Sequence, residues 1–213
     1  MGTYKKGILG SFSGKVGTVV GSYWKGISYM RSVPGKRKGT PSAAQVEHQM
    51  KFAVMIKFQE AFLALLTRTF VDPGGMLSPG NYAMKHNLKD AITGTYPNFS
   101  VDYHKVLLSL GKLHNAGAPS IESDGAGKIK FNWVDNSGDT DSAKATDKSI
   151  LIAYCAETNE AVFTMAGPSR SAETAVLNVA LFGGKAVETF LAFISEDGKL
   201  VSRSTYLGNV MVE

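Results

Sequence analysis

The rhythm of hydrophobic and polar positions changes twice along this chain. From Gly7 to Val33, β-branched and aromatic residues are interleaved with glycine and serine. This pattern predicts strands near 7–12, 16–24 and 27–33, the last two joined as a hairpin at Lys25-Gly26. In the third strand Ile27, Tyr29, Arg31 and Val33 share one face, and Ser28, Met30 and Ser32 share the other. Neither face is purely apolar, and an isolated hairpin is marginal in water, so the ribbon is expected to lie against a helix or another chain.

Beyond a loop broken by Pro34, Gly35 and Gly39, the period becomes helical. Ser42 as N-cap with Gln45 three residues on, and Pro41 just ahead, predicts a helix running to about Phe70. Asp72-Pro73-Gly74-Gly75 ends it. Polar residues form a narrow stripe through Gln45, Gln49, Lys57, Glu60 and Arg68, while Met50, Phe52, Val54, Met55, Ile56, Phe58, Phe62, Leu63 and Leu65 fill most of the remaining circumference. A helix so apolar should be buried on several sides, more than its own chain is expected to cover.

A shorter helix is expected over 79–92 and a turn over 94–98. The period then switches to two, with strands expected at 103–110, 128–134, 149–155, 161–165, 175–180, 186–194 and 200–206. Turn residues lie between them, at 115–117, 137–139, 157–159, 183–184 and 197–198. Short strands at this spacing predict an antiparallel sandwich with Trp133 in its core. The fold class is therefore α+β: an N-terminal β-ribbon with one long and one short helix over 1–102, then a β-sandwich over 103–213.

Charge adds an asymmetry. Residues 1–71 carry eleven Lys and Arg against Glu47 and Glu60, and the first forty residues contain no acid. From Asp72 onward acids outnumber bases, sixteen to twelve. A positive segment of this kind fits an anionic partner: nucleic acid, an acidic protein face, or the acidic part of a second copy. The chain lacks the apolar run of a signal peptide, and its most apolar stretch, 52–66, is interrupted by Lys57, Gln59 and Glu60, so a cytoplasmic protein without a membrane span is expected.

Familiar catalytic and ligand patterns do not fit. Gly14-Lys15 is followed by Val16, and Leu9 stands where a phosphate loop needs glycine. The 135–141 run (DNSGDTD) misses the glycine and glutamate positions of a calcium loop. The four histidines show no metal-ligand spacing, and Cys155 ends an apolar strand, as a buried structural thiol would. No cofactor, metal, catalytic residue or small-molecule substrate is indicated.

The segment from Ser13 to Pro34, with its pattern GKVGxVVGxxWKGxxYxRSxP, is similar to an uncharacterised family of Bacteroidetes-type bacterial proteins. That resemblance covers essentially the whole chain and implies no activity. It implies only a β-ribbon, a basic loop, a helix and an immunoglobulin-like tail as one unit, and the C-terminal part by itself resembles a fibronectin type III or immunoglobulin-like sandwich in architecture. The expected function is a non-enzymatic structural or interaction protein that self-associates, a phage-like or virion-like particle being one such assembly. The expected contacts are Phe12, Tyr23, Trp24, Tyr29, Phe52, Met55 and Phe62, with Lys15, Lys25, Arg31, Lys36, Arg37 and Lys38 meeting an anionic partner. The alternative is a nucleic-acid-binding protein using the same segment, its aromatics stacking bases and its cations meeting phosphates.

Overall fold

A computed structural model describes residues 2–4, 10–35, 39–71, 74–138 and 142–213. The chain is α+β and forms two compact units, residues 1–42 and 43–213. Among the described residues, no helix is long and apolar enough to cross a membrane.

The first unit is a meander of four antiparallel strands: β1 (Thr3–Tyr4), β2 (Phe12–Val16), β3 (Val19–Trp24) and β4 (Ile27–Ser32). Lys25 and Gly26, with φ of 45° and 87°, make the two-residue turn that matches strand twist, as expected of that dipeptide. The single strand expected over 16–24 is split, because Gly17 at φ 59° turns the chain between β2 and β3. Of the strand expected at 7–12, residues 7–9 lie outside the described residues, and of the other three only Phe12 is in a strand, as the first residue of β2.

The second unit opens with α1 (Ala43–Glu60) and α2 (Leu63–Thr69). One continuous helix was expected here. It breaks at Phe62, whose N–H bonds back only to Gln59 (3.0 Å) and whose ring turns fully inward. Next comes α3 (Pro79–Asp90), started by Ser78, whose hydroxyl accepts from the Asn81 N–H, and by Pro79 in the first turn. The segment expected as a turn at 94–98 is a full hairpin, β5 (Ile92–Thr95) paired with β6 (Asn98–Val101).

Two antiparallel sheets follow, built from β7 (Gly117–Ser123), β8 (Lys128–Val134), β9 (Lys148–Cys155), β10 (Glu160–Thr164), β11 (Thr174–Asn178), β12 (Ala186–Ile194) and β13 (Thr205–Met211). One has the order β10-β9-β12-β13 and the other β11-β8-β7. Ile129, Phe131 and Trp133 from the smaller sheet pack with Leu151, Ala153, Cys155, Leu191 and Phe193 from the larger. The opposite face of the larger sheet presents Ile150, Ile152, Tyr154, Phe190 and Ala192 to the helices, where Met55, Phe58, Phe62, Leu65, Leu66 and Phe70 cover them. The unit is thus layered helices, sheet, sheet. The 102/103 boundary expected from the sequence runs through this shared helix-on-sheet core.

One expected strand is absent and another starts late. Over 103–110 the backbone bonds to side chains instead of a ladder: Asn87 clamps Leu107 from both sides (2.9 Å each), the Thr69 hydroxyl donates to the Leu108 carbonyl, and the Ser204 hydroxyl accepts from the Leu108 N–H. These bonds satisfy buried backbone groups as a sheet would. The strand expected at 200–206 begins only at Thr205, because Ser202 and Ser204 are buried in that same network. β7, an edge strand carrying Gly117 and Pro119, lies outside every strand expected from the pattern.

Trp133 is buried as expected. Its indole N–H donates to the Arg170 carbonyl (2.7 Å), and its ring meets Phe193 edge-on at 5.5 Å. Emptying this site in a Trp133→Ala variant should cost about 3–5 kcal/mol, read as a shift of the urea-unfolding midpoint at constant slope. Burial also holds the hydroxyl protons of Tyr103, Tyr154 and Tyr206 above the ordinary tyrosine value of 10.0, with the Glu188 carboxylate adding to the effect at Tyr103 and Tyr206. Folded pKa values above the unfolded ones mean stability that is complete below pH 10 and lost as pH rises beyond it. Urea midpoints should fall in that alkaline range, and Tyr154→Phe should flatten the fall.

Candidate interaction site

Strand register decides which ribbon residues act together. In β3 and β4, Val20 faces Arg31, Ser22 faces Tyr29 and Trp24 faces Ile27, and Lys15 of β2 faces Val20. Directly paired residues point to the same side of a sheet. One face therefore carries a row Lys15–Val20–Arg31 across three strands, with Trp24, Ile27 and Tyr29 beside it. Strands lie about 4.8 Å apart, so the two cations flank Val20 at roughly 10 Å from one another. Trp24, Ile27 and Tyr29 are 47%, 57% and 43% exposed. The Lys25 ammonium sits 5.2 Å from the Trp24 ring centre, a cation–π distance. Among the described residues, no carboxylate pairs with Lys15 or Arg31.

The other face holds the ribbon together. Tyr23 and Met30 are exposed there, but Phe12 lies across Gly21, the only buried residue described in the ribbon. A Cβ on Gly21 would stand 2.7 Å from the Phe12 ring, so glycine is required for close approach rather than for backbone conformation. Every residue of β4 is exposed, and β4 is the edge of its sheet. An exposed edge strand of this kind offers unpaired backbone groups to another chain.

The expected contact residues thus separate into groups. Tyr23 projects from the face opposite Trp24 and Tyr29, while Phe12 serves the ribbon's own packing. Lys36, Arg37 and Lys38 lie outside the described residues. Phe52 on α1 is 40% exposed, in line with exposed Ile56 one turn later. Met55 and Phe62 are wholly buried, which corrects their assignment as contacts: the larger sheet covers them, and Phe62 stacks with Phe58 (4.9 Å) and Tyr154 (5.3 Å). The apolar circumference that looked excessive for one chain is largely taken up by the unit's own core. Alternation in β4 had already revealed the face of Ile27, Tyr29 and Arg31. That Trp24 and Lys15 share it depends on a register that no short-range pattern fixes.

Chemistry elsewhere is centred on Arg170, which sequence reading passed over. Its guanidinium is fully buried, contacts the Asp147 carboxylate at 3.2 Å, and donates to the Asn136 side chain and the His114 carbonyl (2.8 Å each). It lies 4.2 Å from the Phe193 ring centre. Desolvation lowers its pKa, opposed by the adjacent Asp147 charge. Cys155 is fully buried. Among the described residues, no three His, Cys, Asp or Glu groups are placed to hold a metal ion.

A family model described as "Family of unknown function (DUF6266)" matches residues 11–208, which takes in both the ribbon and the paired sheets. No curated protein matches the chain. Gly21→Ala should open the ribbon without touching the second unit. Amide hydrogen exchange should then show protection lost in β2–β4 and retained in β8, β9 and β12.

Proposed function

The chain belongs to this family of unknown function, and within it we propose a non-enzymatic structural and interaction protein that self-associates through its N-terminal ribbon. The observation that carries the reading is the exposed face on which Lys15 and Arg31 flank Val20 beside Trp24, Ile27 and Tyr29. Exposed aromatics next to arginine have the composition of interface hot spots. The partner is a second copy, whose net-negative residues from Asp72 onward complement the positive ribbon. Phe52 is a further contact on the second unit.

The paired sheets are read as a fibronectin type III or immunoglobulin-like module. Supporting this are seven strands arranged three on four, with the fourth of them, β10, pairing with the third, β9, in the larger sheet. In the constant-type immunoglobulin arrangement the fourth strand joins the other sheet. A nucleic-acid partner is a second reading, favoured by the stacking surface of Trp24 and Tyr29 beside Lys15 and Arg31, which have no carboxylate partner among the described residues.

Size-exclusion chromatography with light scattering tests the reading. The intact chain should be oligomeric, and deletion of residues 1–33 should leave a monomer whose second unit still unfolds cooperatively. A monomeric intact chain at high concentration would overturn it. Replacing Lys36, Arg37 and Lys38 together with serine distinguishes the partners: nucleic-acid binding should weaken and its salt dependence become shallower, whereas an apolar interface should persist.

A further inference from the structure

Residues 142–147, just before β9, and the tight turn after β12 line a recess of about 350 Å³ on the second unit. Two of its lining residues, Ser142 and Asp147, have side-chain oxygens that are buried without a hydrogen-bond partner. Asp147 is 1% exposed, and its carboxylate is used on one side only: Oδ2 accepts from Arg170 Nη2 and Nε (3.2 and 3.3 Å) and from the Lys144 N–H (2.8 Å), while among the described residues Oδ1 has no donor. A buried carboxylate oxygen without a donor costs free energy that a bound group can recover.

The surroundings decide what kind of group fits. The lining contains three carboxylates, Asp147, Glu196 and Asp197. Three cations answer them: Arg170 on Asp147, Lys199 on Asp197 (3.5 Å), and Lys144 in the lining itself. With charges balanced, the recess does not select a cation, and among the described residues its carboxylates do not converge as metal ligands. Asp197 is occupied within its own turn, where Oδ1 accepts the Ser195 hydroxyl (2.6 Å). What remains is the buried acceptor Asp147 Oδ1, the exposed Glu196 carboxylate, the Lys144 ammonium, and the hydroxyls of Ser142 and Thr146. These are complementary to a ligand that both donates and accepts through several hydroxyls. The volume lies at the small end of ligand pockets, suited to a single sugar ring.

We propose that this recess binds a neutral polyhydroxylated ligand, a saccharide, with one of its hydroxyls donating to Asp147 Oδ1 and others bonding Ser142 and Thr146. The site is independent of the ribbon and of the assembly reading.

Saturation-transfer NMR on the intact chain with the methyl glycosides of glucose, mannose, galactose and N-acetylglucosamine tests it. At least one should bind, with affinity reduced about tenfold in Ser142→Ala, the effect of losing a hydrogen bond. Thr146→Ala, at an exposed position, provides a second variant should the first fold poorly. Binding of none of the four sugars at high millimolar concentration overturns the proposal. So does calcium chloride raising the Tm of the parent but not of Ser142→Ala, since the recess would then be a cation site.

Discussion

The structure depends on a four-stranded sheet that is apolar on both faces. Seven of the eight residues of β9 are buried, and β12 is nearly as deep, so neither face can meet water. A sheet of that kind must be covered twice. Even-numbered residues of β9 require the helices, and odd-numbered ones require β8 and β11. The helices and smaller sheet are therefore two coverings of one surface rather than two domains, which is why the chain from Ala43 to Glu213 forms a single unit.

Between the two sheets this burial creates a polar obligation that Arg170 meets. A guanidinium removed from water is costly unless its donors are occupied and its charge is matched. Asp147, Asn136 and His114 supply that, and Phe193 takes the planar face. The Arg170 carbonyl in turn receives the Trp133 indole. One residue, through its side chain and its backbone carbonyl, thus ties the loops before β9 and after β10 to the strand that carries the core tryptophan.

Legibility followed the range of the interactions. The Lys25-Gly26 turn, the start of α3 at Ser78-Pro79, and strands β8, β9 and β12 were visible because local chemistry and period determine them. The 103–110 segment has the composition of a strand, yet side chains 20 to nearly 100 residues distant hold it in an irregular path, and no window of sequence contains those partners. The same limit applied to the candidate site. The aromatic and basic residues were evident, but their division between two faces came from pairing across β2, β3 and β4. Met55 and Phe62 looked available only because the apolar sheet that claims them lies ninety residues further on.

The ribbon's self-packing has an evolutionary consequence. Phe12 over Gly21, with the two backbone turns, supplies the packing described within it, and the residues of the opposite face bear little of that load. Lys15, Val20, Trp24, Ile27, Tyr29 and Arg31 can therefore vary without unfolding the strands that display them, provided each keeps a side chain suited to a sheet. The second unit has no such freedom along β9, where a change on either face disturbs one covering layer or the other. The side chains displayed by the ribbon and those that maintain its fold are thus different residues, so the exposed face can change its chemistry without first acquiring spare stability.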